Sequence, residues 1–157
     1  MTVPADGPNT DAVFTGAADV PTLQIGSTTA RLVATGSQTG ERYGLFRWEM
    51  TAASGGATPH YHRTFSEAFY VLEGRISLYD GSEWREGGAG DYLFIPPRGV
   101  HAFRNDSSAA ASMLILFAPG PPRERYFEEL AERIASGQVY SDAERAEFLA
   151  RHDQYEA

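Results

Sequence analysis

The sequence predicts an all-β domain, a sandwich or barrel of short strands, followed by two short C-terminal α-helices. Three observations carry this. Between residues 22 and 118, short alternating or apolar runs recur, separated by turn signals. The 157-residue chain holds 16 glycines and 9 prolines, enough for the many turns such a domain needs. From Pro121 the apolar period changes from that of a strand to that of a helix.

The elements follow in order. Residues 1–20 are polar, contain proline and glycine and show no period. They read as a flexible arm, or as one exchanged between the two chains of a dimer. Residues 21–120 form the barrel. It opens with the β-rich "TARLVATG". "RYGLFRWEMT" alternates, with Phe46, Trp48 and Met50 on one face and Tyr43, Arg47 and Glu49 on the other. "EAFYVLEG" and "RISLYDG" are two strands joined at Glu73-Gly74, and Asp80-Gly81 is a hairpin signal. "DYLFIPP" is a strand stopped by prolines, and "VHAFRN" and "ASMLILFAP" complete the set. Residues 121–157 form a helical tail. Phe127, Leu130, Ala131 and Ile134 make one apolar stripe between a leading proline and Gly137. Ser141 and Glu144 stand in capping-box spacing for a second helix. The charged positions of both helices read as solvated faces. The length fits one domain with one core.

Composition excludes several chemistries. The chain has no cysteine, which removes disulfides, thiolate catalysis and zinc–sulfur sites. All 13 basic residues are arginine, so Schiff-base chemistry and a phosphate-loop lysine are excluded too. A net charge of −8 argues against nucleic acid or an anionic membrane as partner. The N-terminus lacks the basic, apolar pattern of a signal peptide, and no stretch approaches the ~20 apolar residues of a membrane span. The expected location is the cytoplasm. Chemistry must rest on His, Asp/Glu, Arg, Tyr or a metal.

Two of the four histidines stand one residue apart, in "PHYHRTFSEAFYVLEG". On a strand, positions i and i+2 face one way, about 6.5–7 Å apart. His60 and His62 therefore converge, and Tyr61 faces away. Glu67 starts the next strand and offers an oxygen. His101, in "PPRGVHAFRN", offers a third imidazole. Three histidines and a carboxylate leave coordination positions open, as a catalytic metal site does. His152 ends the last helix, where an imidazole suits the helix dipole, and is not read as a ligand. Phe46, Trp48 and Met50 are candidates for the substrate pocket, because their apolar face must point inward beside the ligand strand.

These residues resemble the cupin family. The first cupin motif is similar to His60-x-His62, four residues, Glu67, six residues, Gly74. The second is similar to Gly90, five residues, Pro96, then His101, then three residues to Asn105. Two positions depart. The early glycine of the first motif falls on Ser54, just before Gly55 and Gly56. Arg98 stands where the second motif usually has glycine, with Gly99 one place later. Arg98 reads as a rim contact for an anionic substrate or as an exposed loop residue. Asn105 reads as a ligand-orienting residue or as a turn cap. The resemblance implies a double-stranded β-helix, the jelly-roll barrel.

The text "RYGLFRWEM", the His-rich stretch and the helical tail resemble single-domain quercetinase-like cupins. That implies one divalent transition metal (Fe, Ni, Mn, Co, Cu or Zn) on His60, His62, Glu67 and His101. It also implies a dioxygenase acting on a flavonol-like or other phenolic aromatic, with Glu67 as catalytic base. The alternatives are a non-redox polyketide cyclase or isomerase on the same metal site, and a small-molecule-binding cupin without turnover. An open sheet edge and the habit of small cupins imply a homodimer.

Overall fold

The structure, a computed structural model, describes residues 12–157. Residues 1–11 of the expected arm lie outside the described residues. Residues 12–20 are mostly exposed and hold one 3-10 turn, Ala17–Asp19.

Eleven short strands among the described residues build the all-β body. The larger sheet has six: β1 (Thr22–Ile25), β2 (Thr28–Ala34), β3 (Gly44–Met50), β5 (Ser66–Glu73), β8 (Tyr92–Ile95) and β10 (Ala111–Ala118), in the order β1-β2-β3-β10-β5-β8. A facing three-stranded sheet has the order β7-β6-β9, from β6 (Arg75–Tyr79), β7 (Trp84–Gly88) and β9 (Ala102–Arg104). A two-stranded ladder pairs β4 (His60–Tyr61) with β11 (Tyr155–Glu156). Reciprocal backbone hydrogen bonds between His60 and His101, 2.9 and 3.0 Å, tie β4 to the segment entering β9.

Alternation places the core. In β3, Gly44, Phe46, Trp48 and Met50 are buried and the residues between them half-buried, because the outward face meets water. β10, nearly all apolar, lies between β3 and β5. Phe46, Phe69, Phe117, Ile76, Met113 and Ile115 fill the interior. Phe46 meets Phe117 edge-on at 5.5 Å and Phe127 at 5.4 Å, geometry that aromatic quadrupoles favour. The Asp80-Gly81 signal does form the β6–β7 hairpin, but Tyr79 pairs with Trp84, so the loop has four residues. Asp80 Oδ1 accepts from the backbone N–H groups of Ser82 and Glu83, both at 2.9 Å, which widens the turn.

Three α-helices are present among the described residues. The one-turn α1 (Gly36–Thr39) lies between two expected strands, where the sequence reads only a turn. Thr35 and Gln38 form a capping box there, and a Cβ on Gly36 would lie 2.3 Å from the carbonyl oxygen of Gly120. In α2 (Arg123–Ser136) Phe127 is buried and Leu130 and Ala131 pack against the core, but Ile134, at the end of the stripe, is 47% exposed. α3 (Asp142–Arg151) opens on the expected Ser141–Glu144 capping box. The expectation that helix charges are solvated is corrected at two positions, since Arg123 and Glu124 are buried. Glu124 Oε1 accepts from the backbone N–H and hydroxyl of Ser37 and so pins α2 to α1. None of the described helices is long and apolar enough to cross a membrane.

Candidate metal centre

β4 carries His60 into the interior, the turn after it carries His62, β5 carries Glu67, and the segment before β9 carries His101. All four are buried, and one ligand atom from each lies within 4.8 Å of the others. The six-stranded sheet thus supplies the carboxylate, and the opposite layer supplies the imidazoles.

The hydrogen bonds fix how the rings present themselves. The Nδ1–H of His60 donates to the Thr58 carbonyl at 2.8 Å, that of His62 to the Asp153 carbonyl at 2.7 Å, and that of His101 to the Gly99 carbonyl at 2.9 Å. A neutral imidazole that donates through Nδ1 keeps its lone pair on Nε2. Glu67 Oε2 stands 3.0 Å from His62 Nε2 and 2.8 Å from His101 Nε2. Lone pairs packed this closely repel unless protons or a cation lie among them. The residues therefore fit a divalent ion, with each histidine oriented by a backbone carbonyl behind it.

The electrostatics agree. Burial, with the nearby His101, lowers the pKa of His60 to about 3, so this ring is neutral, as a ligand must be. Burial alone would raise Glu67, but the charge and hydrogen bond of His101, with the hydrogen bond of His62, hold it below the usual carboxylate range. Burial would lower His101, and the Glu67 carboxylate raises it instead.

Several partners gave no sequence signal. Asp153, at φ +54, follows α3 and turns the chain back toward the site. Its carbonyl orients His62, and its carboxylate accepts from the backbone N–H groups of Arg63 and Thr64, at 2.9–3.2 Å, and from the Thr64 hydroxyl at 2.6 Å. β11 then pairs with β4, and Tyr155 stacks on Tyr61 at 5.4 Å. The tail is thus a support for the ligand strand. Asp153→Ala keeps the carbonyl that orients His62 but removes the carboxylate that holds Arg63 and Thr64, so it is expected to loosen the turn carrying His62 and weaken metal binding by up to roughly 10-fold, measured by competition with a chromogenic chelator.

The two departures from the cupin pattern have clear places. Arg98 is exposed, and its backbone N–H donates to the His62 carbonyl at 2.6 Å. Its φ is +71, the left-handed region that favours glycine. A Cβ there costs about 1–2 kcal/mol, offset by the ~0.4–1 kcal/mol of extra unfolded-state freedom glycine would bring. Arg98→Gly is expected to stabilise the fold by about 0.5–1 kcal/mol, seen as a higher denaturant midpoint at unchanged slope. Ser54 bridges to Asn105, and Gly56 carries the close approach, since a Cβ there would lie 2.1 Å from the Phe103 carbonyl oxygen. Asn105 caps a turn: its amide donates to Thr51 and Ala109 carbonyls, and its oxygen accepts from Ser107. His152 caps α3 and meets Glu129 at 3.2 Å, away from the cluster.

A cavity of about 710 Å³ opens onto His60 and Glu67. Trp48, Phe103, Phe127 and Phe148 supply its aromatic lining, with Arg123 and Tyr126 from α2. Of the three candidate pocket residues, Trp48 lines it. Phe46 and Met50 belong instead to the packed core, Phe46 sealed by Phe117 and Phe127. An inward face in a strand cannot distinguish core from cavity, because Phe127 of α2 packs on both Phe46 and Trp48, at 5.4 and 5.0 Å, while only Trp48 also borders the open space.

Residues 46–117 match the family described as Cupin domain (Cupin_2). Over 61 residues, 39% of this chain, the sequence is 39% identical to an uncharacterized protein of Aquifex aeolicus (strain VF5) and 34% identical to quercetin 2,3-dioxygenase of Bacillus subtilis (strain 168). The match spans 50% and 18% of the lengths of those two proteins. Among solved structures, the polyketide cyclase RemF from Streptomyces resistomycificus superposes with a TM-score of 0.60 at 24% identity, over 71% of this chain and 82% of that one. This last likeness shows the double-stranded β-helix fold.

Proposed function

With a cupin domain over residues 46–117, this chain is, we propose, a metal-dependent dioxygenase acting on a flavonol-like or other phenolic aromatic. The observation that carries the reading is the aromatic cavity of about 710 Å³ opening onto His60 and Glu67. That volume lies within the range of small-molecule sites, and its flat aromatic walls suit a planar ring better than a sugar or a phosphate. The partial likeness to quercetin 2,3-dioxygenase supports it.

His60, His62, Glu67 and His101 would hold the ion, which when bound supplies Lewis acidity and, if redox-active, a path for electrons to dioxygen. Glu67, already ionised, accepts the proton of the phenolic hydroxyl, giving the ring oxygen its negative charge. Trp48 and Phe103, edge-on at 6.0 Å, would wall the ring in, and residues of α2 and α3 complete the lining.

A second reading, a non-redox polyketide cyclase or isomerase with zinc, is favoured by one feature. Trp48 Nε1 and Arg123 Nε are buried donors without acceptors, and both residues line the cavity. Such donors suit an enolate.

The test is elemental analysis of protein purified without chelator, then an oxygen-electrode assay on flavonols with each of Fe, Ni, Mn, Co, Cu and Zn restored. Oxygen uptake with a redox-active ion is expected. No uptake with any ion overturns the dioxygenase, product without oxygen would identify the cyclase, and retained binding without turnover a sensor.

We extend the proposal to a homodimer. β8 ends the six-stranded sheet, with Tyr92 62% and Phe94 56% exposed on it, a free edge that a second copy would cover. Light scattering at micromolar concentration is expected to give twice the 17.1 kDa chain mass.

A further inference from the structure

We infer that Arg123 is the anion-binding residue of the cavity, so that the ligand is an aromatic molecule bearing an ionised oxygen that accepts from the Arg123 Nε–H. The inference rests on the proposed reading of this cavity as the substrate site, but on neither the identity of the metal nor the use of oxygen.

Arg123 is 4% exposed. Its Nη1 donates to the His152 carbonyl at 2.8 Å and its Nη2 to Gln154 Oε1 at 2.9 Å, both neutral acceptors. Tyr126 lies under the guanidinium, 4.1 Å from ring centroid to Cζ. None of the ion pairs among the described residues includes Arg123; they are formed by other residues. A buried cation held only by neutral groups carries a desolvation cost that folding alone does not recover. The Nε–H is left without any acceptor.

Its position gives that surplus a use. Arg123 lines the same cavity as His60 and Glu67. Its Cζ is 5.5 Å from the ring centroid of Phe65, and Phe65 stacks on His62 at 4.3 Å, so one aromatic ring separates the guanidinium from a metal-ligand candidate. Glu67 is the carboxylate whose charge reaches it most directly. Once Glu67 faces a divalent ion, the next carboxylate whose charge reaches Arg123 is Asp153, whose oxygens accept from Arg63 and Thr64 and not from the guanidinium. An oxyanion on the ligand would answer it. Trp48, which like Arg123 packs on Phe127, brings a second unpartnered buried donor, Nε1, to the same cavity. A strut for the tail explains the two Nη bonds. It does not explain a buried donor left over on a residue of the cavity wall, one that a small turn of the guanidinium would present to a ligand.

The test uses the zinc-loaded full chain and matched probes in calorimetry. 2-Naphthoate is expected to bind at least tenfold more tightly than 2-naphthamide, since a charge-assisted hydrogen bond in a dry site is worth that factor or more. Arg123→Gln should bring the ratio close to one while naphthamide still binds, compared at equal zinc loading because the lost Nη bonds also hold the tail. The ratio should persist in chelator-treated wild type, because it comes from Arg123. 4-Nitrophenol, yellow only when ionised, tests a phenolate on the same residue: colour at a pH where the free probe is colourless, lost in Arg123→Gln, supports the inference. A ratio near one in wild type, a ratio that vanishes with the zinc, a ratio retained in Arg123→Gln, or no binding of either anion would overturn it. If Arg123→Gln misfolds, Arg123→Lys keeps the charge, and the wild-type comparison with and without zinc decides without any variant.

Discussion

His62→Ala is expected to strip the metal. The imidazole is held by three features: Nδ1 donates to Asp153, the ring stacks on Phe65 at 4.3 Å and 24°, and Nε2 faces Glu67 at 3.0 Å. Alanine removes one donor of four and leaves a water-sized gap in its place. Four-ligand sites gain roughly 10–16 kcal/mol from the ion, so one ligand is worth about 3 kcal/mol, or a factor of 10² or more in affinity. The expected readout is near-zero metal by elemental analysis after gel filtration, with the fold intact, because the aromatic core around Phe46, Phe69 and Phe117 does not depend on His62. His152→Ala is the matched control. That ring meets Glu129, not the cluster, and metal content should not change. Full occupancy in His62→Ala would remove His62 from the ligand set.

The strand alternation of Gly44–Met50, the two spaced motifs and the Ser141–Glu144 cap are local patterns, and local patterns can be read from one chain. What could not be read depends on partners distant in sequence. Nothing local in "ASMLILFAP" says that it lies between β3 and β5, or that β5 and β6, adjacent in sequence across Gly74, part into different sheets. β11 is two residues long and exists because β4, bridged to His101 along one edge, has its other edge free; its own sequence has no strand signal. Thr35-x-x-Gln38 was a legible cap, hidden by the β-rich text before it. Arg123 shows the limit most clearly. A charge in the first turn of an amphipathic helix is ordinarily solvated, and only the return of His152–Gln154 across the helix buries it. The candidate metal ligands were legible because their spacing is local within each motif. The cavity was not, because its wall is made by helices packing onto strands far away in the chain, as the joint lining by Ile25 and Leu149 shows.

Glu67→Gln should separate binding from chemistry. Glu67 sits on β5 opposite Ile95 and Phe117, with Oε2 turned to His62 and His101. The amide has nearly the same shape and keeps one oxygen for the ion, so metal should stay at reduced affinity. It has no negative charge and cannot take a proton at neutral pH. Glu67 is ionised across the ordinary range because His101 and His62 hold its carboxylate down, so in the native protein the acceptor is ready before the substrate arrives. One acid–base group contributes about 10²–10⁴-fold in rate, and turnover on any phenolic substrate should fall by that factor. A substrate supplied already ionised, by raising the assay pH, needs no base and should recover much of the loss. Near-normal turnover at neutral pH would leave Glu67 as a ligand only. Loss of metal without recovery at high pH would place its whole contribution in holding the ion, and the proton would then have to pass to a group outside the cluster.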